Sequence, residues 1–213
     1  MSKKLRYKIY KPNQTKNDLN IIFLLHGYGS NEEDLFSLKD FIPPNYIVIS
    51  LRGPISIGFS SYAWYSINFE NGIDKWFDKD EAIKSKNIII KDILLHMEDL
   101  DLMNKRVSLL GFSQGAILSW SLGIEYPHLI KKILPLSGFY NSEITNYNLN
   151  SNFKLECFSS HGIHDSVIPI SWSRKGIECI KNNNIGITFK EYESGHEINN
   201  ENLKDLIDWL YRN

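Results

Sequence analysis

The chain has 213 residues, 42% of them hydrophobic and 23% charged, with a formal net charge of -1. That length can bury a full core within one domain, taken as residues 1–213. Near-neutral charge removes the electrostatic case for a nucleic-acid partner, and no apolar run nears the roughly 20 residues of a membrane span, so stable membrane insertion is not expected. The basic start, Met1 to Tyr7, lacks the apolar stretch of a signal peptide. The two cysteines, Cys157 and Cys179, have neither metal-ligand spacing nor the number for a disulfide framework. A cytoplasmic protein is the expectation.

Leu5 to Tyr10 reads as an edge strand. Ile21 to Leu25 is a continuous apolar run, as in a parallel strand buried on both faces. Tyr46 to Leu51 is a second such run. Gly53 to Gly72, with Pro54, Gly58, Ser60 and Ser61, reads as a loop. A helix is predicted over Lys79 to Leu100, with Asp78 and Glu81 as its start signal and Ile83, Ile90, Ile93, Leu94 and Met97 on one face. Further strands follow at Val107–Leu110, Lys132–Ser137, Leu155–Ser160 and Ile187–Tyr192. Pro135 weakens the second of these, because a central strand should not lose an N–H. Cys157 reads as a small core residue. Helices are placed at Ala116–Ile124, Ser171–Lys181 and from Asn200, the last with Leu203, Leu206, Ile207, Leu210 and Tyr211 as its buried stripe. Gly138 to Asn152 is a second loop. Alternating strands and helices predict an α/β fold with a mostly parallel central sheet flanked by helices and no large lid domain.

Gly111-Phe112-Ser113-Gln114-Gly115 matches a G-x-S-x-G nucleophile elbow between a predicted strand and a predicted helix. On such a sharp turn the serine Oγ stands clear of the sheet, and the flanking glycines relieve backbone crowding. A serine nucleophile needs a base, and the base needs an orienting carboxylate. In this architecture both belong just past strand ends. Asp165 follows the Leu155–Ser160 strand, and His196 follows the Ile187–Tyr192 strand. The order Ser113, Asp165, His196 is that of an α/β-hydrolase. Of the six histidines, His96 lies inside a predicted helix and His128 at a helix end, and neither faces the strand ends. His161 and His164 flank the acid loop and read as hydrogen-bonding groups. Glu193 is the alternative acid, three residues from His196. His26-Gly27-Tyr28-Gly29 follows the first buried strand and suits an oxyanion loop, with the amides of Tyr28 and Gln114 as donors.

These segments resemble the phospholipase/carboxylesterase family of α/β-hydrolases, which includes the acyl-protein thioesterases. The resemblance is carried by Phe23–Gly29, Ala63-Trp64-Tyr65, Gly111–Ala116, Leu136-Ser137-Gly138, Gly162–Pro169 and Gly195-His196, and it spans about residues 20 to 210. It implies a Ser113–His196–Asp165 triad, oxyanion amides at Tyr28 and Gln114, and hydrolysis of carboxylic esters or thioesters without a cofactor or metal. Tyr28 stands where a leucine is common, and Ser56 to Phe77 departs from the better-known thioesterases. The implied substrates are small-molecule esters or thioesters of short to medium acyl chains. Acyl-protein thioesterase and lysophospholipase activities are the alternatives. A peptidase, a lactone hydrolase and a non-catalytic binding module on the same fold stay open. Residues placed at the substrate are His26, Gly27, Ile55, Phe59, Trp64, Tyr65 and Val167, with Ile57 adding to the apolar loop. Packing of that loop on the core is the other reading. Trp64 and Trp76 also leave room for a homodimer.

Overall fold

The computed structural model describes residues 4–15, 18–68, 77–146, 154–180 and 185–212. A seven-stranded sheet runs in the order β1 (Tyr7–Tyr10), β3 (Tyr46–Leu51), β2 (Asn20–Leu25), β6 (Val107–Phe112), β7 (Ile130–Leu136), β8 (Leu155–Gly162), β9 (Ile185–Tyr192). β1 is antiparallel to β3, and the other pairs are parallel. Among the described residues no large separate domain is set on this sheet. No helix there is long and apolar enough to cross a membrane.

Side-chain alternation along β2 fills both faces. Ile21, Phe23 and Leu25 join a core with Trp64 and Tyr65, with Ile89, Ile93 and Met97 of α1 (Lys79–Asp99), and with Ile117 and Trp120 of α2 (Gln114–Glu125). Ile180, at the end of α3 (Ile170–Ile180), packs in the same core. Ile22 and Leu24 join Leu35 of the 3-10 helix Leu35–Asp40 and Leu206 and Leu210 of α4 (Asn200–Arg212) on the other face. Burial on two faces is why these strands read as unbroken apolar runs.

From β2 the chain goes to β3 on one side, and β6 joins β2 on the other. The loops leaving the carboxyl ends of β2 and β6 therefore part, which opens a crevice there.

Three elements depart from the expectation, and the strand carrying Pro135 forms with an irregular ladder. Gly53–Gly72 is not a plain loop: β4 (Ile55–Gly58) and β5 (Ser61–Ala63) form a hairpin within it. Pro135 sits inside a central strand, and the β7–β8 ladder pairs Ile133 and Leu136 but skips Leu134 and Pro135. The gap falls at the residue with no N–H to give. Asp78 does cap α1, accepting from the Glu81 N–H at 2.9 Å, yet the helix buries a rotated and partly polar face. Ser85, Lys86, Asp92 and His96 are inside, while Leu94 is exposed. The Lys86 ammonium replaces lost water with three partners, Glu125, the Ser121 hydroxyl and the Ile144 carbonyl. On α4, Tyr211 is exposed and Asn202 is buried in its stead. Cys157 is fully enclosed in β8. Residues 69–72 and 147–152 of the two expected loops, and Trp76, lie outside the described residues.

Candidate active site

Ser113 links β6 directly to α2 with φ 53° and ψ -113°. That is a strained conformation for a residue with a Cβ. The surrounding glycines explain how it is held. A Cβ on Gly111 would lie 2.2 Å from the Gly115 carbonyl oxygen, and one on Gly115 would lie 2.0 Å from the Leu25 carbonyl oxygen. The turn therefore closes on itself, and α2 begins in backbone contact with the end of β2. The Ser113 N–H donates to the Leu136 carbonyl at 2.9 Å, which ties the elbow to β7.

His196 and Asp165 meet this serine from the loops after β9 and β8. His196 Nε2 is 2.9 Å from Ser113 Oγ, and His196 Nδ1 is 2.7 Å from Asp165 Oδ2. An ionised carboxylate only accepts, so Nδ1 carries the ring proton and Nε2 is left to accept from the serine hydroxyl. The Phe112 ring lies against the imidazole, with centroids 5.0 Å apart. Asp165 Oδ1 accepts from the Val167 and Ile168 N–H groups at 2.9 and 2.8 Å. Burial alone would raise the Asp165 carboxyl. Hydrogen bonds from His161, His196 and the Ile168 N–H outweigh it and hold the group well below the usual carboxylate range. Glu193 does not compete: it is exposed and pairs with His164 at 2.9 Å. His96 is buried on α1 beside Asp92.

The loop His26–Ser30 passes close under the serine. A Cβ on Gly27 would lie 3.2 Å from the Phe112 ring and 3.3 Å from Ser113 Cβ. Gly29 has φ 82°, a left-handed turn that suits glycine. The hairpin holds the loop from outside: the Gly29 N–H donates to the Tyr62 carbonyl at 2.9 Å and the Tyr62 N–H to the Ser30 carbonyl at 2.8 Å. Arg52 braces it from below, bonded to the buried Glu32 and, at 3.0 Å, to the Tyr62 hydroxyl. At the other side, the Gln114 N–H belongs to the first turn of α2, where helix geometry supplies no acceptor.

The residues expected at the substrate separate into two groups. His26, Trp64 and Tyr65 are corrected: all are enclosed, with Trp64 at 0% and Tyr65 at 1% exposure. His26 Nε2 accepts from the Gly53 N–H at 2.9 Å, and Nδ1 lies 2.7 Å from the Gly27 carbonyl. Burial lowers this imidazole below its ordinary value, so the ring is neutral with its proton on Nδ1. The Trp64 indole N–H donates to the His26 carbonyl at 2.9 Å. The Gln114 side chain accepts from the Trp64 N–H at 2.8 Å and donates to the Tyr65 carbonyl at 2.7 Å. These side chains fix the backbone of the site and offer no surface to a ligand. Phe59 is the reverse case: at the hairpin tip it is 100% exposed, with Ile57 beside it on β4 also exposed. Ile55 is half-buried, and Val167 is 57% exposed next to the acid loop. Sequence reading missed Ser173 and gave Gly138 no contact of its own. Ser173, on the inner face of α3, bonds both His161 and the Gly138 carbonyl, and no local pattern announces that contact. Among the described residues no group of three His, Cys, Asp or Glu side chains is placed to hold a metal ion.

A mostly parallel sheet carrying a serine on a strand-to-helix elbow, with an acid and a histidine from the ends of β8 and β9, defines an α/β-hydrolase. A phospholipase/carboxylesterase family model matches residues 8–213. The chain belongs to that family of serine hydrolases. It is 25% identical to acyl-protein thioesterase 1 of Kluyveromyces lactis, over 90% of each chain. It is 28% identical to an Arabidopsis thaliana protein named "Probable carboxylesterase SOBER1-like", over 89% of this chain and 77% of that one. In fold it is similar to the carboxylesterase of Bacillus cereus, with a TM-score of 0.84, 19% identity, and 98% and 94% of the two chains covered.

Proposed function

We propose that the chain works as one domain that hydrolyses carboxylic ester or thioester bonds through an acyl-enzyme on Ser113. His196 takes the hydroxyl proton as Oγ attacks the acyl carbonyl. Asp165 keeps the imidazole in the required tautomer and stabilises its charged form. The N–H groups of Tyr28 and Gln114 receive the oxyanion. His196 then protonates the leaving alcohol or thiol, and water repeats the sequence on the acyl-enzyme. The observation that carries this reading is the unbroken row from Ser113 Oγ through His196 to Asp165, with links of 2.9 and 2.7 Å. Thioesters enter because relatives over nine-tenths of the chain are named acyl-protein thioesterases. Short to medium acyl chains are the substrates we favour, with the exposed Phe59 and Ile57 of the hairpin offering apolar surface to them.

Labelling of the purified protein with a fluorophosphonate, followed by peptide mass mapping, tests the nucleophile. The label should fall on Ser113 and be lost in His196→Ala. A folded protein that takes no label refutes the reading and brings the non-catalytic module forward. Acetyl and octanoyl esters, their thioester counterparts, a lysophospholipid and a peptide then sort the substrate classes.

A further inference from the structure

His161 lies on β8 and is wholly enclosed. Its Nε2 is 2.8 Å from the Ile168 carbonyl and 3.1 Å from Asp165 Oδ2. Both neighbours only accept, so Nε2 must carry a proton. Across the ring, Nδ1 is 2.7 Å from Ser173 Oγ, and that hydroxyl also bonds the Gly138 carbonyl. The imidazole is thereby wedged between the acid loop, α3 and the segment after β7.

Asp165 is consequently met by four N–H groups, one of them shared. Val167 and Ile168 N–H groups serve Oδ1 and His196 Nδ1–H serves Oδ2, while the His161 Nε2–H, bonded to the Ile168 carbonyl at 2.8 Å, makes a second, longer contact of 3.1 Å with Oδ2. The carboxylate cannot turn away from His196 without breaking a buried bond. The two imidazoles share a single oxygen. Whatever negative charge His161 draws is not available to hold the proton on His196.

We propose that His161 is a positioning residue of the hydrolytic site: its Nε2–H fixes Asp165 and moderates the basicity of His196. The proposal rests on the Ser113–His196–Asp165 reading above. The other ionisable groups around the network are few. Glu191 stands opposite His161 in register on β9 and is paired with Arg174 of α3. The exposed His164–Glu193 pair lies on the neighbouring loops, and Glu197 follows His196 in sequence.

Two variants separate the roles. His161→Leu removes the donor and keeps bulk. His161→Gln keeps an amide N–H near the position of Nε2. Both are assayed with p-nitrophenyl acetate from pH 5 to 9, beside Ser113→Ala. For His161→Leu, kcat should fall on the order of 10- to 100-fold through a looser acid, with KM unchanged because the side chain touches no substrate. The acidic limb of kcat/KM should also move up, as Asp165 gives its full charge to His196. His161→Gln should recover most of kcat and return the limb. A packing role alone would lower the folded fraction and leave the limb in place. Histidine 15N NMR of the wild-type protein reads the same point without relying on a variant: His161 Nε2 should bear a slowly exchanging proton. A bare Nε2, or a folded His161→Leu with wild-type kcat and an unmoved limb, overturns the proposal. If Ser113→Ala keeps its rate, the hydrolase reading itself has failed. If Ser113→Ala is inactive while His161→Leu is normal, only His161's role has.

Discussion

Replacing Gln114 by alanine removes the two hydrogen bonds that tie the start of α2 to the backbone of Trp64 and Tyr65. Both bonds are buried, so the Trp64 N–H and the Tyr65 carbonyl lose their partners without gaining water. Each orphaned group costs about 1–3 kcal/mol, which puts the sum near 4 kcal/mol. For a chain of this length each kcal/mol moves Tm by about 2–4 °C, so the variant should melt roughly 8–16 °C below wild type. Gln114→Glu refines the test, because it keeps the shape and changes one donor into an acceptor. One carboxylate oxygen still receives the Trp64 N–H. The other, when ionised, faces the Tyr65 carbonyl across a gap that is 2.7 Å in the wild type. Burial and that contact raise this carboxyl above the ordinary glutamate value of about 4.3. Its protonated form can donate to Tyr65, so the loss relative to wild type is small in acid and grows as pH rises through the raised value. Thermal melts at pH 5 and pH 8, with kcat for p-nitrophenyl acetate on the same samples, check both points. A Gln114→Ala protein melting within 2 °C of wild type, or a Gln114→Glu deficit independent of pH, would refute the reasoning.

Asp165→Asn should lower kcat by up to roughly 10⁴-fold with the fold kept. Because the Asp165 carboxyl is held below its usual range, it contributes stability above about pH 4 that is lost as pH falls, so the Asn variant should show a flatter acid limb in urea midpoints. Burial depresses His26, which makes its protonation favour the unfolded chain. Stability should therefore decline as pH falls below about 6.5, and His26→Gln, which gains no charge, should decline less between pH 7 and 5. Trp64→Ala should cost about 3–5 kcal/mol and raise KM for acetyl and octanoyl esters alike, whereas Phe59→Ala should stay within about 0.5 kcal/mol. A Trp64→Ala penalty confined to the octanoyl ester would restore the ring to the acyl surface.

The strands of the sheet were readable because two-sided burial writes itself as apolar runs such as Ile21 to Leu25. Ser113 was readable because its backbone needs glycines at fixed offsets. Asp165 and His196 could be singled out because chain order and strand ends narrow the choice. What the sequence hid depends on long-range contacts. Trp64 and Tyr65 looked like a lining because aromatic residues in a loop carry no mark of which way they turn. Their enclosure comes from long-range packing, and the Gln114 side chain, 50 and 49 positions away, holds their backbone. The inner face of α1 was misjudged because Lys86 and Asp92 are polar by type and buried by partnership. Ser173 gives no local sign that it will meet His161.

The contact between Gly115 and the Leu25 carbonyl has a wider meaning for how this chain can change over time. There the elbow and the end of β2 are spaced by main chain against main chain. Exposed positions such as Phe59 and Val167 stand outside that frame. If the proposed reaction holds, substitutions there would change the surface met by acyl or leaving groups while the distances among Ser113, His196 and Asp165 stay put. On that proposal, selectivity and chemistry would be inherited through different parts of the chain.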